Sequence, residues 1–134
     1  MKKTSFILIL SCFMLLTLNA QSNREKYIDI VNRYATAYLD ADLKTISEIV
    51  HKDYKYYFFG TYEMGYDDLL NRIKEKKVEG DKRVEAHEWV VEGDKVASTW
   101  TAYFTDAVFK GMKLYLIEDD KILEEWAYYK MVTD

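Results

Sequence analysis

The sequence predicts an α+β domain in which N-terminal helices pack in a curved antiparallel sheet, and three observations predict it. Apolar residues recur at helical spacing through residues 22–76. Runs rich in Val, Thr, Tyr and Trp fill the chain after Gly80. The helices precede the strands instead of alternating with them, which is the order of an α+β domain and not of a βαβ one.

The first element is separate from that domain. Lys2 and Lys3 precede an apolar run from Phe6 to Leu18, and Leu18-Asn19-Ala20 places small or aliphatic residues at positions −3 and −1 of a cleavage point. This is the pattern of a secretory signal, and the run is shorter than the roughly 20 residues needed to span a bilayer. Residues 1–20 are therefore expected to be a cleavable signal peptide, with no stable membrane span. Residues 21–134 are expected to be one exported domain, periplasmic or secreted, of a size that supports a single core. A competing reading is a lipid-attachment box at Ile9-Leu10-Ser11-Cys12, which would cut the apolar run in half.

Composition narrows the chemistry. The chain's one cysteine, Cys12, leaves with the signal, which excludes disulfides, thiol nucleophiles and cysteine metal sites from the exported domain. The formal charge of −4 becomes more negative once Lys2 and Lys3 are removed, and acids and bases are interspersed. Nucleic acid is thus not an expected partner. All twelve tyrosines and three tryptophans lie beyond residue 20, and such side chains fill cores and line apolar pockets.

The elements follow in order. Tyr27, Ile30, Val31, Tyr34 and Tyr38 recur at three- and four-residue steps and predict an amphipathic helix over 22–39. Asp42 is placed to N-cap a second helix, Leu43 to His51, with Ile46, Ile49 and Val50 inward. Tyr54 to Phe59 reads as a strand and Tyr66 to Lys76 as a third helix, with Leu69, Leu70 and Ile73 on one face. Four strands are then expected: 83–92, 95–105, 112–118 and 121–131. Glu92-Gly93-Asp94 and Asp119-Asp120 supply the turn chemistry between them. Trp100 shares a strand face with Val96, Ser98, Ala102 and Phe104, a face expected to pack on the first helix.

Several of these pieces, in this order, resemble one family. Asp42-Leu43 opens a second helix after a tyrosine-bearing first one, Asp53 precedes a strand, and Gly65 precedes a third helix. Glu92-Gly93-Asp94-Lys95-Val96 with Trp100, and Lys121-Ile122-Leu123-Glu124-Glu125-Trp126, complete the set. Together they look like the nuclear transport factor 2-like superfamily, in its SnoaL-like branch, over nearly all of residues 24–130. The resemblance implies a cone-shaped barrel with an apolar cavity at its open end, often in a homodimer. Members include polyketide cyclases, ketosteroid isomerases, dehydratases and non-catalytic binding modules, so fold does not fix function.

Tested position by position, the resemblance breaks at the catalytic residues. Ketosteroid isomerases use a first-helix tyrosine and a protonated acid as oxyanion donors, with a carboxylate base after the second helix. Here Tyr34 matches the tyrosine, but Phe58 stands at the base and Lys113 at the protonated acid. Cyclase-like members often carry His-Trp-Asp on the last strand; this chain has Glu125-Trp126-Ala127, and the excursion from Thr105 to Gly111 is short. His51 is expected to end the second helix, where it suits the dipole. Neither His51 nor His87 has a second histidine nearby, so no metal site is expected.

The catalytic candidates are Glu125, Tyr34 and His87. The expected cavity lining is Tyr34, Tyr38, Tyr56, Phe58, Trp100, Phe104 and Tyr115. Which of Glu124 and Glu125 faces inward depends on the hairpin register at Asp119-Asp120. A two-residue turn puts Tyr115 and Glu124 on a shared face, and a three-residue connection brings Tyr115 opposite Glu125. The arrangement with Glu125 inward is favoured, because in the family's His-Trp-Asp version the two polar residues flank an outward or rim tryptophan.

Two functions follow. One is an exported module that binds a small apolar or aromatic molecule without cofactor or catalysis. The other is a cofactor-independent lyase, isomerase or cyclase using Glu125 and Tyr34. An ordered polar pair deep in the cavity would favour the enzyme, and a dry aromatic cavity the binding module.

Overall fold

The computed structural model describes residues 2–75 and 83–132, with residues 2–20 described by their backbone alone. Three helices and six strands form an α+β fold: α1 (Lys2–Asp40), α2 (Leu43–Ile49), β1 (Val50–Phe58), β2 (Thr61–Gly65), α3 (Tyr66–Glu75), β3 (Arg83–Glu92), β4 (Lys95–Phe104), β5 (Ala107–Glu118) and β6 (Lys121–Val132). The expected cleavage point after Ala20 falls within α1. Among the described residues no helix is long and apolar enough to cross a membrane. The last residue of the expected third helix, Lys76, lies outside the described residues.

Local chemistry sets the helix ends. Ala41 takes a positive φ of 55° after α1, and Asp42 then caps α2. Its carboxylate accepts from the Thr45 backbone N–H at 3.1 Å and from the Thr45 hydroxyl at 2.6 Å. These bonds to the ionised form hold the Asp42 carboxyl below its usual range. Helix α3 carries Asp67 and Asp68 in its first turn and Arg72 and Lys74 in its last, matching the helix dipole at both ends. Leu69 and Ile73 are buried beneath it. The apolar stripe of α1 is also inward, with Ile30, Val31 and Tyr34 buried.

The six strands form a single sheet in the order β2-β1-β6-β5-β4-β3. The sheet is mixed, not antiparallel throughout, because β1 runs parallel to β6. It is also not closed: β2 and β3 are its edges. Strand β2 was not anticipated. Phe59 and Gly60, both at positive φ (48° and 81°), form the tight turn that joins it to β1, a backbone pair suited to a two-residue hairpin. The second helix stops at Ile49, so His51 lies in β1 and not at a helix end. Its Nδ1 accepts from the Asp53 N–H at 3.1 Å.

Two bulges decide which side chains face the helices. In β3 the pairing with β4 shifts between Ala86 and Glu88, leaving His87 as the extra residue. In β6 the pairing with β5 shifts so that Ile117 faces Ile122 and Leu116 faces Glu124, leaving Leu123 extra. A bulge of this kind exchanges the faces of the strand beyond it. The core lies between the inner sheet face and the helices, built around Ile46, Ile49, Val50, Ile73, Val96 and Ile122.

Candidate functional site

The inner face of the sheet is a grid, and its rows build a cavity. Tyr56, Glu125, Tyr115 and Val96 are successive cross-strand neighbours on β1, β6, β5 and β4. The next row is Phe58, Ala127, Lys113 and Ser98, and the one after begins Tyr129, Gly111 and Trp100. Gly111 leaves a gap in that third row, which the Trp100 and Tyr129 rings close over, meeting edge to face at 5.4 Å between centroids. Val31, Tyr34 and Tyr38 of α1 form the opposite wall, and the enclosed volume is about 530 Å³. Trp100 therefore opens on this cavity, which the first helix also borders.

The floor is polar and connected. Glu125 is 1% exposed. Its Oε1 pairs with Lys113 Nζ at 2.6 Å, and its Oε2 accepts from the Tyr54 hydroxyl at 2.8 Å. The Tyr54 oxygen lies 3.2 Å from the Tyr34 hydroxyl. A phenol has one hydrogen to give. Since Tyr54 gives its own to the carboxylate, Tyr34 must donate to Tyr54. The chain of donors runs from Tyr34 through Tyr54 to Glu125, away from the cavity.

The electrostatics agree with this geometry. Burial raises the Tyr34 and Tyr54 hydroxyls well above the ordinary tyrosine range, and the Glu125 charge adds to it. Tyr56 and Tyr115 are likewise raised, chiefly by burial. All four are neutral phenols at physiological pH. Burial alone would lower Lys113, but the adjacent carboxylate more than offsets it and holds the ammonium above its usual range. The ammonium also lies 5.6 Å from the centre of the Trp100 ring, within reach of a cation–π attraction.

Tyr54→Phe should expose how much this cluster contributes. It removes a buried hydrogen bond to a charged group and leaves the Tyr34 hydrogen without its acceptor, so a loss of about 2 kcal/mol is expected. The urea midpoint measures it. An unchanged midpoint would show that Tyr54 does not hold the carboxylate.

Of the residues singled out from sequence, Tyr34, Tyr38, Tyr56, Trp100, Phe104, Tyr115 and Glu125 all border the cavity. Phe58 is not among its walls: its ring packs against Phe59 and Tyr129, at 4.7 and 4.9 Å between centroids. His87 is also elsewhere. The β3 bulge leaves it exposed, with Nε2 at 2.8 Å from the Thr101 hydroxyl. Among the described residues no group of three or more His, Cys, Asp or Glu side chains could hold a metal.

The Asp119-Asp120 turn is two residues long, with both at positive φ (49° and 60°), and Glu118 pairs with Lys121. Yet Tyr115 faces Glu125, because the Leu123 bulge supplies the extra residue that a longer turn would have supplied. Trp126 points outward and stacks on Tyr57 at 5.4 Å.

Sequence reasoning missed Tyr54 as a site residue and Lys113 as the partner of Glu125. A signal existed for Tyr54, which lies two residues before Tyr56 and so on the same strand face. No local pattern marks Lys113, whose ion pair is diagonal across two strands.

The SnoaL-like domain family matches residues 31–125, and the chain belongs to that family. No curated protein sequence matches significantly. Among solved structures, an epoxide hydrolase from M. tuberculosis has a TM-score of 0.70 at 16% identity, covering 81% of this chain and 85% of that one. A putative ketosteroid isomerase from Kribbella flavida has a TM-score of 0.69 at 13% identity, covering 84% and 83%. A putative polyketide cyclase from Streptomyces antibioticus has a TM-score of 0.61 at 17% identity, covering 78% and 92%. At these identities the likeness is one of fold.

Proposed function

We propose that this protein is an exported SnoaL-like module that holds a small apolar or aromatic molecule in its cavity without transforming it. The observation that carries the reading is the state of Glu125. Each of its oxygens is engaged, one by an ammonium and one by a hydroxyl. The carboxylate is thus committed to an ion pair and a hydrogen bond within the protein itself. Tyr34 cannot serve as an oxyanion donor while its hydrogen is given to Tyr54. What remains is an aromatic container with a fixed polar floor, the ordinary form of a small-molecule site.

Export is supported by the pattern of residues 1–20, and the domain is taken to begin at Gln21. A homodimer is taken to form through the outer sheet face, where Tyr62, Met112 and Tyr128 are exposed. Native mass spectrometry of the protein from its own source tests the whole reading. A retained organic molecule, released unchanged after incubation with fresh protein, and a two-subunit mass are expected. Release of a converted product would overturn the non-catalytic reading.

A second reading, a cofactor-independent lyase, isomerase or cyclase, has one observation in its favour: a polar cluster sits deep in the cavity, where a pure container needs none. The enzyme and putative-enzyme names of the solved neighbours also lean that way. Glu125→Gln separates the two, since an enzyme would keep binding and lose turnover.

A further inference from the structure

We infer that the molecule held in the cavity carries a hydrogen-bond acceptor that meets the indole N–H of Trp100; the inference rests on the binding reading above. Among the described residues, Trp100 Nε1 is the one buried side-chain nitrogen or oxygen with no hydrogen-bond partner. An indole N–H donates and cannot accept. Left unmet and away from water, it costs the free protein the desolvation of a polar group. Such groups are rare in folded proteins, and one on a cavity wall requires a reason.

The protein around the indole supplies no acceptor. Trp100 stands opposite Gly111, which has no side chain to offer. The Lys113 ammonium, 5.6 Å from the centre of the ring, is itself a donor. The Glu125 carboxylate is committed to Lys113 and Tyr54. The Tyr129 ring meets the indole edge to face at 5.4 Å between centroids, and an aromatic face accepts an N–H only weakly. What remains is the cavity, which Trp100 borders as a half-buried residue, so that a small turn of the ring presents Nε1 to an occupant. The bound state then gains a hydrogen bond that the free state lacks, and this difference favours the turned ring. The apolar walls hold the body of the molecule, and the acceptor fixes which way round it sits.

Three naphthalenes of similar shape test this: 2-acetylnaphthalene, 2-naphthoate and 2-isopropylnaphthalene, which offer a neutral acceptor, an anionic acceptor and none. Each is titrated into the purified protein by calorimetry and by NMR of the indole N–H signals, three of which are expected from the three tryptophans. About tenfold tighter binding of 2-acetylnaphthalene than of 2-isopropylnaphthalene is expected, corresponding to about 1.4 kcal/mol, with a downfield shift of the Trp100 signal. Trp100→Phe keeps an aromatic ring without the N–H and should bring the two to within about threefold. Where that variant fails to fold, Trp89→Phe and Trp126→Phe assign the other two signals and the wild-type titrations decide. Tightest binding of 2-naphthoate with the same shift would support the inference and make the acceptor anionic. Equal affinities with an unmoved Trp100 signal would assign the N–H to the Tyr129 ring face and overturn the inference, leaving the container reading intact. A preference for oxygen that survives in Trp100→Phe would also overturn it, by placing the acceptor at another donor. Binding of none of the three would overturn both readings.

Discussion

Gly111→Ala is expected to lose about 3 kcal/mol of stability or more, a large effect for one methyl group. A Cβ at this position would overlap the Tyr128 carbonyl oxygen and would lie 2.5 Å from Tyr129 Cβ and 2.7 Å from Tyr129 Cα. These atoms belong to or adjoin the backbone of the neighbouring strand, so no rotamer change relieves them. The β5–β6 ladder must open, and overpacking that displaces backbone lies at or beyond the usual range of 1–3 kcal/mol. Opening there also separates Trp100 from Tyr129, so the cavity should lose its shape along with the stability. A chemical-denaturation curve checks the first effect and near-ultraviolet circular dichroism the second. A variant with wild-type midpoint and spectrum would mean the strands approach less closely than described.

Lys113→Met should be comparably damaging, by about 3–5 kcal/mol, for an electrostatic reason. It leaves Glu125 as a buried carboxylate without its counter-ion, and breaking one half of a buried pair costs far more than the intact pair contributes. The native pair gives a matching signature. Because the folded ammonium is held above its unfolded value, its contribution is complete below about pH 10.4. It is lost only as pH rises through the folded value. Wild-type stability should therefore show no loss from Lys113 across the physiological range. In the variant a proton can take the place of the ammonium, so the penalty should shrink as the solution is acidified. Adding Glu125→Gln to Lys113→Met should recover much of the loss. Additive losses in the double variant, measured by denaturant midpoints, would show that the two groups are not coupled.

Much of this architecture was legible because it depends on periodicity and caps. The stripe of Tyr27, Ile30, Val31, Tyr34 and Tyr38 specifies a helix face, and Asp42 with Thr45 is a local hydrogen-bonding arrangement readable over four residues. Strand β2 escaped notice because Thr61–Gly65 is short and mostly exposed and carries no alternation of its own. The parallel pairing of β1 with β6 escaped because residues 56 and 125 become neighbours through tertiary structure alone.

The site was half legible in the same sense. Its aromatic walls follow from strand faces, and Glu125 from the register preferred for the last hairpin. The role of Lys113 required knowing that β5 and β6 run in the register they do. Phe58 was expected in the cavity wall, but its ring packs instead against those of Phe59 and Tyr129.

Glu124 and Glu125 are chemically identical neighbours, yet one lies toward the outer face and the other is sealed in an ion pair. No property of either side chain distinguishes them. The distinction is written in the phase of the backbone, reset at Leu123, so the β6 bulge works as an address that assigns one carboxylate to the interior. Were Leu123 to pair with Leu116 and the bulge vanish, every polar group of the site would remain in the chain while Glu124 stood opposite Tyr115, changing the site's chemistry without altering one residue.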